Sequence, residues 1–500
     1  MKKTDILFIN PGDQKKTFQG LAKKHTPLST PSWCMLLASA LRKFSEVAIY
    51  DSNIQGWDTK SVLENYSPKL IVIMVHGHNP TGSTENMPAA IKIVNDLKKT
   101  NKDLNIAIGG GHVSALPKRT LEECEADYSI QGEGLYTIKG LNDFLNGKTS
   151  LKNIPGLWYR LNGEIVKTFP AENVKNLDQD MSSYAFDLLP GLENYRASEV
   201  HCLQKFENSN EEDNGFHDVR SPYVAIYTTL GCPYQCHFCM TNGIFGGQGS
   251  RGWSAENVLK WIDELYLNHN VKNIRFDDEL FVLDNTRVNA ICDGLIERNY
   301  DLNIYGYTAL NSTRVKLLEK MYKGGFTWLS VGVEAGNEAV RKSQKGKFPI
   351  KSDIHKTVRA IQDTGINVHA NYMFGFQDDT IETMQQTLDL ALDLNTEFVQ
   401  MRYVNAFPGA PMYNDFTQEQ LPKDWNAYSQ YSYEATPLDT KYVSGKEVLK
   451  FRDHAFQTYF ASEKYLKLVK SKFGEKCYNH MISQPKVPLK RKLLEEDKVA

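Results

Sequence analysis

The sequence lacks any apolar run approaching the roughly 20 residues that a membrane-spanning helix requires. Its first residues lead into a short apolar segment rather than a signal sequence. The charges nearly cancel, with 58 Lys+Arg against 60 Asp+Glu, so no overall field favours nucleic acid or an anionic membrane. We therefore expect a cytoplasmic protein without an integral membrane segment, which binds a small-molecule substrate and no nucleic acid.

Cysteine is scarce in this sequence and unevenly distributed. Eight cysteines in 500 residues are too few for a disulfide scaffold. Three of them, Cys232, Cys236 and Cys239, nevertheless fall within eight residues. A chain of this length predicts two or three domains, and the close spacing predicts a metal or cofactor site in one of them.

The first 145 residues alternate short apolar runs with helical patterns. This alternation is typical of an α/β fold with an open, parallel, Rossmann-like sheet, which we assign to residues 1–145. Ligands bind beyond the carboxyl ends of such strands, and here these ends carry small or polar loops. The predicted strands are 5–10, 46–51, 69–75, 105–108 and 126–130.

A second series of strands and helices begins at residue 223, after a connector at 146–222 that contains a predicted hairpin at 157–166. Six strand and helix units predict a partial, TIM-like (β/α)6 barrel over 223–415. Beyond 415 the pattern becomes helical and polar, so 416–500 is predicted to be a helical C-terminal cap. The predicted barrel strands are 224–229, 272–277, 302–307, 327–333, 366–373 and 398–404.

The three clustered cysteines follow the first predicted barrel strand, at spacings of four and three residues. A tight loop can direct all three thiolates at one four-iron cluster. Three protein ligands leave one iron open, and that iron can chelate the amino and carboxylate groups of S-adenosylmethionine. The alternatives are a zinc site with His237 as the fourth ligand, or three unrelated cysteines.

This cysteine motif, placed at the start of a strand and helix series, resembles that of the radical S-adenosylmethionine (SAM) superfamily. The resemblance covers 223 to about 415 and implies a [4Fe-4S] cluster on Cys232, Cys236 and Cys239, with SAM bound beside it. Later strand ends resemble the superfamily's cofactor contacts. The residues concerned are Phe238, Asp277, Asp278, Glu279, Glu334, Asn371 and Gly375.

Each of these positions has an implied role. Phe238 resembles the aromatic residue whose backbone contacts adenine, but it also suits a plug against the barrel wall. The acidic residues 277–279 stand where the methionine amino group binds, and equally suit a solvated strand end. Glu334 resembles a ribose contact. The segment from Asn371 to Gly375 resembles the strand end that passes close to adenine.

The front domain resembles the cobalamin-binding domain that precedes the radical domain in one large subgroup, although its glycine-rich loops also suit nucleotides or plain turns. No Asp-x-His-x-x-Gly motif follows the first strand, so we expect cobalt without a protein histidine ligand. His76, His78 and His112 remain candidates for its lower face. The implied cobalamin contacts are Asn10, Gly12, His78, Asn79, Ser83, Gly109, Gly110, Gly111, His112, Ser114, Gly132 and Glu133.

The two resemblances together imply a reaction. An electron from a donor such as flavodoxin or ferredoxin cleaves SAM at the cluster to a 5'-deoxyadenosyl radical, which removes hydrogen from an unactivated carbon. With cobalamin present, the simplest completion is carbon methylation of a small, or lipid- or sugar-like, metabolite. Ring formation or rearrangement without methyl transfer is the alternative within enzymes. A non-catalytic cobalamin or redox sensor is the alternative outside them.

Polar and aromatic residues on the predicted barrel strands are candidates for substrate contact. Alternate residues of a strand point to opposite faces, so some of them face the barrel interior. Tyr305, Tyr307, Arg402 and Tyr403 equally suit plain core or wall positions.

Overall fold

The chain folds into two α/β domains, each built on a parallel sheet, with helices of the C-terminal region packed against the second one. A computed structural model describes residues 2–12, 17, 19, 26–77, 79–209, 217–244, 247, 249–345, 353–483 and 489–495. Within this part of the chain, no helix is long and apolar enough to cross a membrane.

The first sheet has the strand order β2-β1-β3-β4-β5-β6-β7. β1 to β5 are parallel, and β6 and β7 add antiparallel strands at one edge. The central strands are buried apolar runs because helices cover both faces. The strands are β1 (Lys2–Asn10), β2 (Val47–Asp51), β3 (Tyr66–Val75), β4 (Ile106–Gly110), β5 (Tyr128–Ile130), β6 (Leu157–Leu161) and β7 (Glu164–Lys167).

Short helices alternate with these strands, as the sequence pattern predicts. Several begin at a side chain that accepts a backbone N–H, such as Asp51 and Asp58. The helices are α1 (Ser32–Leu41), α2 (Ser52–Gln55), α3 (Thr59–Asn65), α4 (Gly82–Glu85), α5 (Met87–Thr100), α6 (Gly111–Ala115), α7 (Pro117–Glu123) and α8 (Leu135–Leu145).

The connector begins with the predicted hairpin, which is confirmed as β6 and β7. Its turn residues Asn162 and Gly163 both have positive φ, at 52° and 85°, as a two-residue hairpin turn requires. The hairpin extends the first sheet to Lys167, and the boundary at 145 stays a prediction. Three short helices follow: α9 (Leu177–Asp180), α10 (Glu199–Cys202) and α11 (His217–Arg220).

The second sheet is parallel throughout, with the order β15-β14-β13-β12-β11-β8. Its first and last strands do not pair with each other, so the barrel is partial, and the predicted fold class is confirmed. The strands are β8 (Tyr223–Ile226), β11 (Asn273–Phe276), β12 (Asn303–Ala309), β13 (Phe326–Glu334), β14 (Asn367–Phe374) and β15 (Phe398–Tyr403).

The prediction of one strand over 224–229 is wrong in its last residues. β8 ends at Ile226, and β9 (Thr229–Leu230) pairs with β10 (Arg251–Gly252) in a separate antiparallel ladder. The cause is a buried carboxylate: Asp278 accepts hydrogen bonds from the backbone N–H groups of Thr228 and Thr229. The chain therefore leaves the barrel sheet just before the clustered cysteines.

Helices cover the outside of the second sheet and continue into the C-terminal region. The last long helix is interrupted at Gly474, where φ is 90°. These helices are α12 (Thr241–Ile244), α13 (Ala255–His269), α14 (Asn285–Arg298), α15 (Val315–Lys323), α16 (Glu338–Lys345), α17 (Ile354–Asp363), α18 (Ile381–Leu394), α19 (Gly445–Ala461), α20 (Glu463–Ser483) and α21 (Lys492–Glu495).

Candidate active site

The cysteine loop lies between β9 and α12. Cys232, Cys236 and Cys239 are free thiols, and each is partly exposed. Burial, together with the nearby thiols and Glu279, raises the pKa of Cys232 to about 12 and that of Cys239 to about 11. Grouped thiols of this kind ionise readily only beside a compensating cation. The donor set therefore fits an iron–sulfur cluster.

The acidic end of β11 lies beside this loop, and its three carboxylates have different partners. Asp277 accepts a hydrogen bond of 2.6 Å from Arg275 Nε. Asp278 holds the backbone of Thr228 and Thr229 and accepts the Thr228 hydroxyl. Two of the three carboxylates are thus satisfied by protein groups.

Glu279 is the carboxylate that remains for a ligand. Its Oε1 is buried without a hydrogen-bond partner in the described part of the chain. Burial, followed by the charges of Asp277 and Asp278, raises its pKa to about 8. A cationic group placed beside Glu279 would stabilise its charged form. The site therefore fits the ammonium group of SAM.

The zinc alternative has little support in the structure. His237 Nε2 forms a hydrogen bond with Asp415 Oδ2, so its imidazole is engaged away from a thiolate set. Among the described residues, no group of three or more His, Cys, Asp or Glu side chains could hold a single metal ion.

Two predicted SAM contacts lie on neighbouring strands. Glu334, the last residue of β13, has φ 71°, which a non-glycine residue rarely adopts, and the pairing register shifts beside it. Asn371, within β14, donates to Ser330 Oγ at 2.8 Å and to the Val331 carbonyl at 3.2 Å. The roles of both residues toward SAM stay predictions.

Gly375 and Phe238 make contacts that the sequence did not predict. Gly375 has φ 86°, and a Cβ there would lie 2.6 Å from Val448 Cγ1 of α19. Its close approach in the structure is thus to the C-terminal region. Phe238 packs against Phe376, with ring centroids 5.7 Å apart. The roles of both residues toward adenine stay predictions.

A cavity of about 480 Å³ lies between the two domains. This volume falls within the roughly 300–1,000 Å³ of ordinary ligand sites. The connector lines one side of it with Ser198, Glu199, Val200 and Leu203. Three other parts of the chain form the remaining walls. They are the first domain with Asn10, His76, Gly77, Asn79, Gly82 and Glu85, the barrel with Arg275, Tyr305, Tyr307, Ser330, His369, Gln400 and Arg402, and the C-terminal region with Tyr431, Arg452, Asp453 and Phe456.

The strand-end loops of the first domain meet this cavity only in part. Asn10 and Asn79 line it, and Asn10 Nδ2 donates to Asp51 Oδ1 at 2.9 Å. Gly12 lies against Asn53, whose Oδ1 would be 1.9 Å from a Cβ. Ser83 donates to the Val75 carbonyl instead. His78 lies outside the described residues.

Two histidines of the first domain are already committed to protein partners. His76 lines the cavity, but its Nε2 bonds to the Tyr227 hydroxyl at 2.9 Å and its ring stacks on Trp33. Burial lowers the pKa of His76 to about 4. His112 is buried against Trp425, and burial, with a smaller effect of Arg119, lowers its pKa to about 3. His112 Nδ1 bonds to the Thr84 hydroxyl, whereas its buried Nε2 has no partner among the described residues, so a cobalt without a histidine ligand stays a prediction.

The three glycines at the end of β4 and the start of α6 lie close to neighbouring elements. Gly110 has φ 128°, and a Cβ there would lie 1.9 Å from the Val75 carbonyl oxygen. A Cβ at Gly111 would lie 2.7 Å from Ile244 Cδ1 of α12. Gly109 lies under Met74. Gly111 thus allows a close approach of the two domains, whereas Gly109 and Gly110 allow close packing within the first one. The role of all three toward a corrin stays a prediction.

The loop after β5 is also engaged with protein groups. Ser114 Oγ accepts the Gly132 N–H at 3.0 Å. Glu133 forms an ion pair with Arg251, the residue that begins β10, and accepts the Val174 N–H at 2.7 Å. Glu133 therefore links the first domain to the strand that follows the cysteine loop, and its role toward cobalamin stays a prediction.

Several cavity residues escaped the sequence analysis. Of the candidates there, Tyr305, Tyr307 and Arg402 line the cavity, whereas Tyr403 is buried with its hydroxyl donating to the Ser429 carbonyl. The residues missed include Glu85, His369 and Gln400. For the last two, the alternation of polar residues along β14 and β15 was the available signal.

Family models match both domains of the chain. Residues 226–391 match the Radical SAM superfamily, and residues 22–142 match the B12 binding domain. The fold and the site thus define an iron–sulfur enzyme with a second cofactor domain. The chain carries a radical SAM domain, with a B12-binding domain in front of it.

Curated relatives are similar over much of the chain. An uncharacterized methyltransferase of Pyrococcus horikoshii is 25% identical over 93% of this chain and 94% of its own length. An anaerobic magnesium-protoporphyrin IX monomethyl ester cyclase of Synechocystis sp. is 22% identical over 69% of this chain and 64% of its own. The hopanoid C-2 methylase of Rhodopseudomonas palustris is 24% identical over 42% of this chain and 41% of its own.

Solved structures share the fold. The cobalamin-dependent SAM radical enzyme OxsB, with aqua-cobalamin and SAM bound, has a TM-score of 0.69 and 18% identity, covering 97% of this chain and 71% of its own. The radical SAM methyltransferase TsrM of Kitasatospora setae, with cobalamin and a [4Fe-4S] cluster bound, has a TM-score of 0.66 and 16% identity, covering 92% and 89%.

Proposed function

We propose that this protein methylates a carbon atom of a small, or lipid- or sugar-like, metabolite. The observation that carries the proposal is the cavity, because its walls come from the B12-binding domain, the connector, the barrel and the C-terminal region. A substrate in it can face both cofactor domains. When bound, the [4Fe-4S] cluster with SAM supplies hydrogen abstraction from carbon, and cobalamin supplies a transferable methyl group.

The radical SAM domain provides ligands and orientation. Cys232, Cys236 and Cys239 hold the cluster through their thiolates. Glu279 accepts the ammonium group of SAM, since its Oε1 is buried without a partner among the described residues. Phe238, Glu334, Asn371 and Gly375 surround the adenosyl part. Asp277 and Asp278 act indirectly. Asp277 accepts a hydrogen bond from Arg275, and Asp278 accepts one from the backbone that precedes the cysteine loop.

The first domain holds cobalamin at the edge of its sheet. Asn10 and Asn79 line the cavity and would contact the bound cobalamin directly. His76 Nε2 is bonded to the Tyr227 hydroxyl, so His76 Nε2 would not hold the cobalt of a bound cobalamin. The remaining positions shape the strand-end loops around the cofactor. They are Gly12, His78, Ser83, Gly109, Gly110, Gly111, His112, Ser114, Gly132 and Glu133.

A small electron carrier such as flavodoxin or ferredoxin reduces the cluster. Cys236 is partly exposed, so the cluster would lie near the surface, within reach of such a partner. All eight cysteines are free, which suits the reducing conditions of the cytoplasm.

Anaerobic reconstitution tests the proposal. The protein is loaded with iron, sulfide and hydroxocobalamin, then given a reductant and SAM together with extracted metabolites. 5'-Deoxyadenosine and S-adenosylhomocysteine are both measured, because the first reports SAM cleavage and the second reports remethylation. We expect both products from the wild type and neither from Cys236→Ala.

The same assay separates the alternatives. 5'-Deoxyadenosine without S-adenosylhomocysteine would favour ring formation or rearrangement, a candidate that the cyclase among the relatives supports. If a protein with an intact cluster and bound cobalamin forms neither product, both enzymatic functions are contradicted, and a sensor remains.

A further inference from the structure

The barrel wall of the cavity carries polar side chains on four neighbouring strands. Tyr307 lies opposite Ser330, and Ser330 opposite His369, in the register of β12 to β14. β15 contributes Gln400 beside the apolar Phe398. Tyr305 and Arg402 line the same cavity. An apolar ligand here would bury several hydrogen-bonding groups without partners.

His369 has one ring nitrogen in use and one free. Its Nδ1 lies 2.6 Å from the Tyr305 hydroxyl, while its buried Nε2 has no partner among the described residues. Burial, with a smaller effect of Arg402, lowers the pKa of His369 to about 3, so the ring is neutral. In the tautomer whose Nδ1 accepts the Tyr305 hydroxyl, Nε2 carries the ring proton.

Arg402 differs from the other cations of the cavity. Arg275 pairs with Asp277, and Arg452 pairs with Asp453. No described carboxylate lies within ion-pair distance of Arg402. At longer range Arg402 acts on Glu85, which lies on α4 of the opposite domain. Burial raises the pKa of Glu85, and the charge of Arg402 offsets part of this rise. Arg402 thus faces the cavity with its charge uncompensated at short range.

We propose that this wall binds the oxyanion of a hydrophilic substrate, with a carboxylate or phosphoryl group on Arg402 and His369 Nε2–H as a second donor. Glu85, from the opposite wall, accepts a hydrogen bond from a hydroxyl or amino group of the same molecule. The inference rests on the proposed function, because it names the chemical class of the molecule to be methylated. It disfavours a hydrocarbon-like substrate.

Binding to the holoenzyme tests this assignment. Protein loaded with cluster, cobalamin and SAM is titrated without oxygen with inorganic pyrophosphate, succinate or farnesol at constant ionic strength, and the shift in melting temperature is measured. We expect one oxyanion to raise the melting temperature, and which one does so separates phosphoryl from carboxylate. Arg402→Gln should weaken that binding at least about tenfold, because a charge-assisted contact is lost.

Two variants complete the comparison. His369→Leu should weaken the same binding by a smaller factor, because it removes one neutral donor. Arg314→Gln is the matched control, since Arg314 is exposed and donates only to the nearby Asn311 carbonyl. It should bind the oxyanion as the wild type does.

Three results would overturn the proposal. They are a shift with farnesol and none with either oxyanion, no shift with any probe, or equal oxyanion binding by Arg402→Gln and the wild type. Loss of SAM or cobalamin loading in Arg402→Gln, measured by equilibrium dialysis, would place Arg402 in a cofactor site and also overturn it. The proposed function is judged separately, by the two products of the wild-type enzyme.

Discussion

Glu133 and Arg251 form a partly buried ion pair between the two domains, although they lie 118 residues apart in the chain. Arg251 also donates to the Val174 carbonyl, and Glu133 accepts the Val174 N–H. β10 begins at Arg251 and pairs with β9, which directly precedes the cysteine loop. The pair therefore joins the B12-binding domain to the two-stranded ladder beside that loop.

Replacing Glu133 with Gln should destabilise the protein and disturb the loop. Arg251 keeps 26% of its side chain exposed, so water partly compensates the lost charge, and we expect a cost of about 1–3 kcal/mol. Urea unfolding and iron content after reconstitution measure the two effects. Glu172→Gln is the control, because that pair with Lys175 is exposed. Equal behaviour of the two variants would contradict the structural role of Glu133.

Replacing Cys236 or His237 with Ala should separate an iron–sulfur cluster from a zinc site. Cys236→Ala removes a thiolate ligand and should abolish stoichiometric iron and sulfide binding. His237→Ala removes only the contact with Asp415 and should retain the cluster. Iron, sulfide and zinc analysis, with electron paramagnetic resonance after reduction, gives the answer. A zinc-binding wild type that loses zinc in His237→Ala would reverse the assignment.

Gly375→Ala should destabilise the protein by more than a positive φ alone explains. The new Cβ would meet Val448 at 2.6 Å, and overpacking of this kind costs about 1–3 kcal/mol. Gly147→Ala is the matched control, because Gly147 has φ 74° and nothing within 4 Å of the added Cβ. Urea unfolding of both variants isolates the steric part. Adding Val448→Ala should recover some of it, and no recovery would contradict the contact.

His369→Gln should change the acid stability. Folding lowers the pKa of His369 from 6.5 to about 3, so below pH 6.5 the unfolded chain takes up a proton that the folded protein does not. Stability therefore falls as the pH falls, by about 1.4 kcal/mol per pH unit for this group. Between pH 6 and 5, the free energy of unfolding measured with urea should therefore depend less steeply on pH in the variant than in the wild type. His355→Gln, at an exposed histidine, should keep the wild-type slope, and an unchanged slope in His369→Gln would refute the assignment.

The strand pattern was predictable because buried parallel strands are apolar along their length. Tyr66, Ser67 and Pro68 extend β3 at its N-terminal end, beyond the predicted start at 69, since they are polar or exposed there and carry no apolar signal. The early end of β8 was not predictable, because it depends on Asp278, which lies 50 residues further along the chain.

The site was predictable only where local spacing defines it. Three closely spaced cysteines in one loop indicate a metal or cofactor site. Glu279 was among the candidates because it lies just after the end of a predicted strand. The partner of Glu133 and the position of Glu85 opposite Arg402 follow from how the two sheets dock. Docking is a long-range outcome of packing, and no spacing within one segment encodes it.

The walls of the cavity have a consequence for the order of synthesis. A ribosome releases the B12-binding domain first and the barrel second. Arg452, Asp453 and Phe456, which lie on α19 and line the C-terminal side of the cavity, emerge after both of these domains. Until then the nascent chain presents both cofactor domains without that side. A ribosome stalled before α19 would therefore leave the cavity open where α19 covers it in the folded protein.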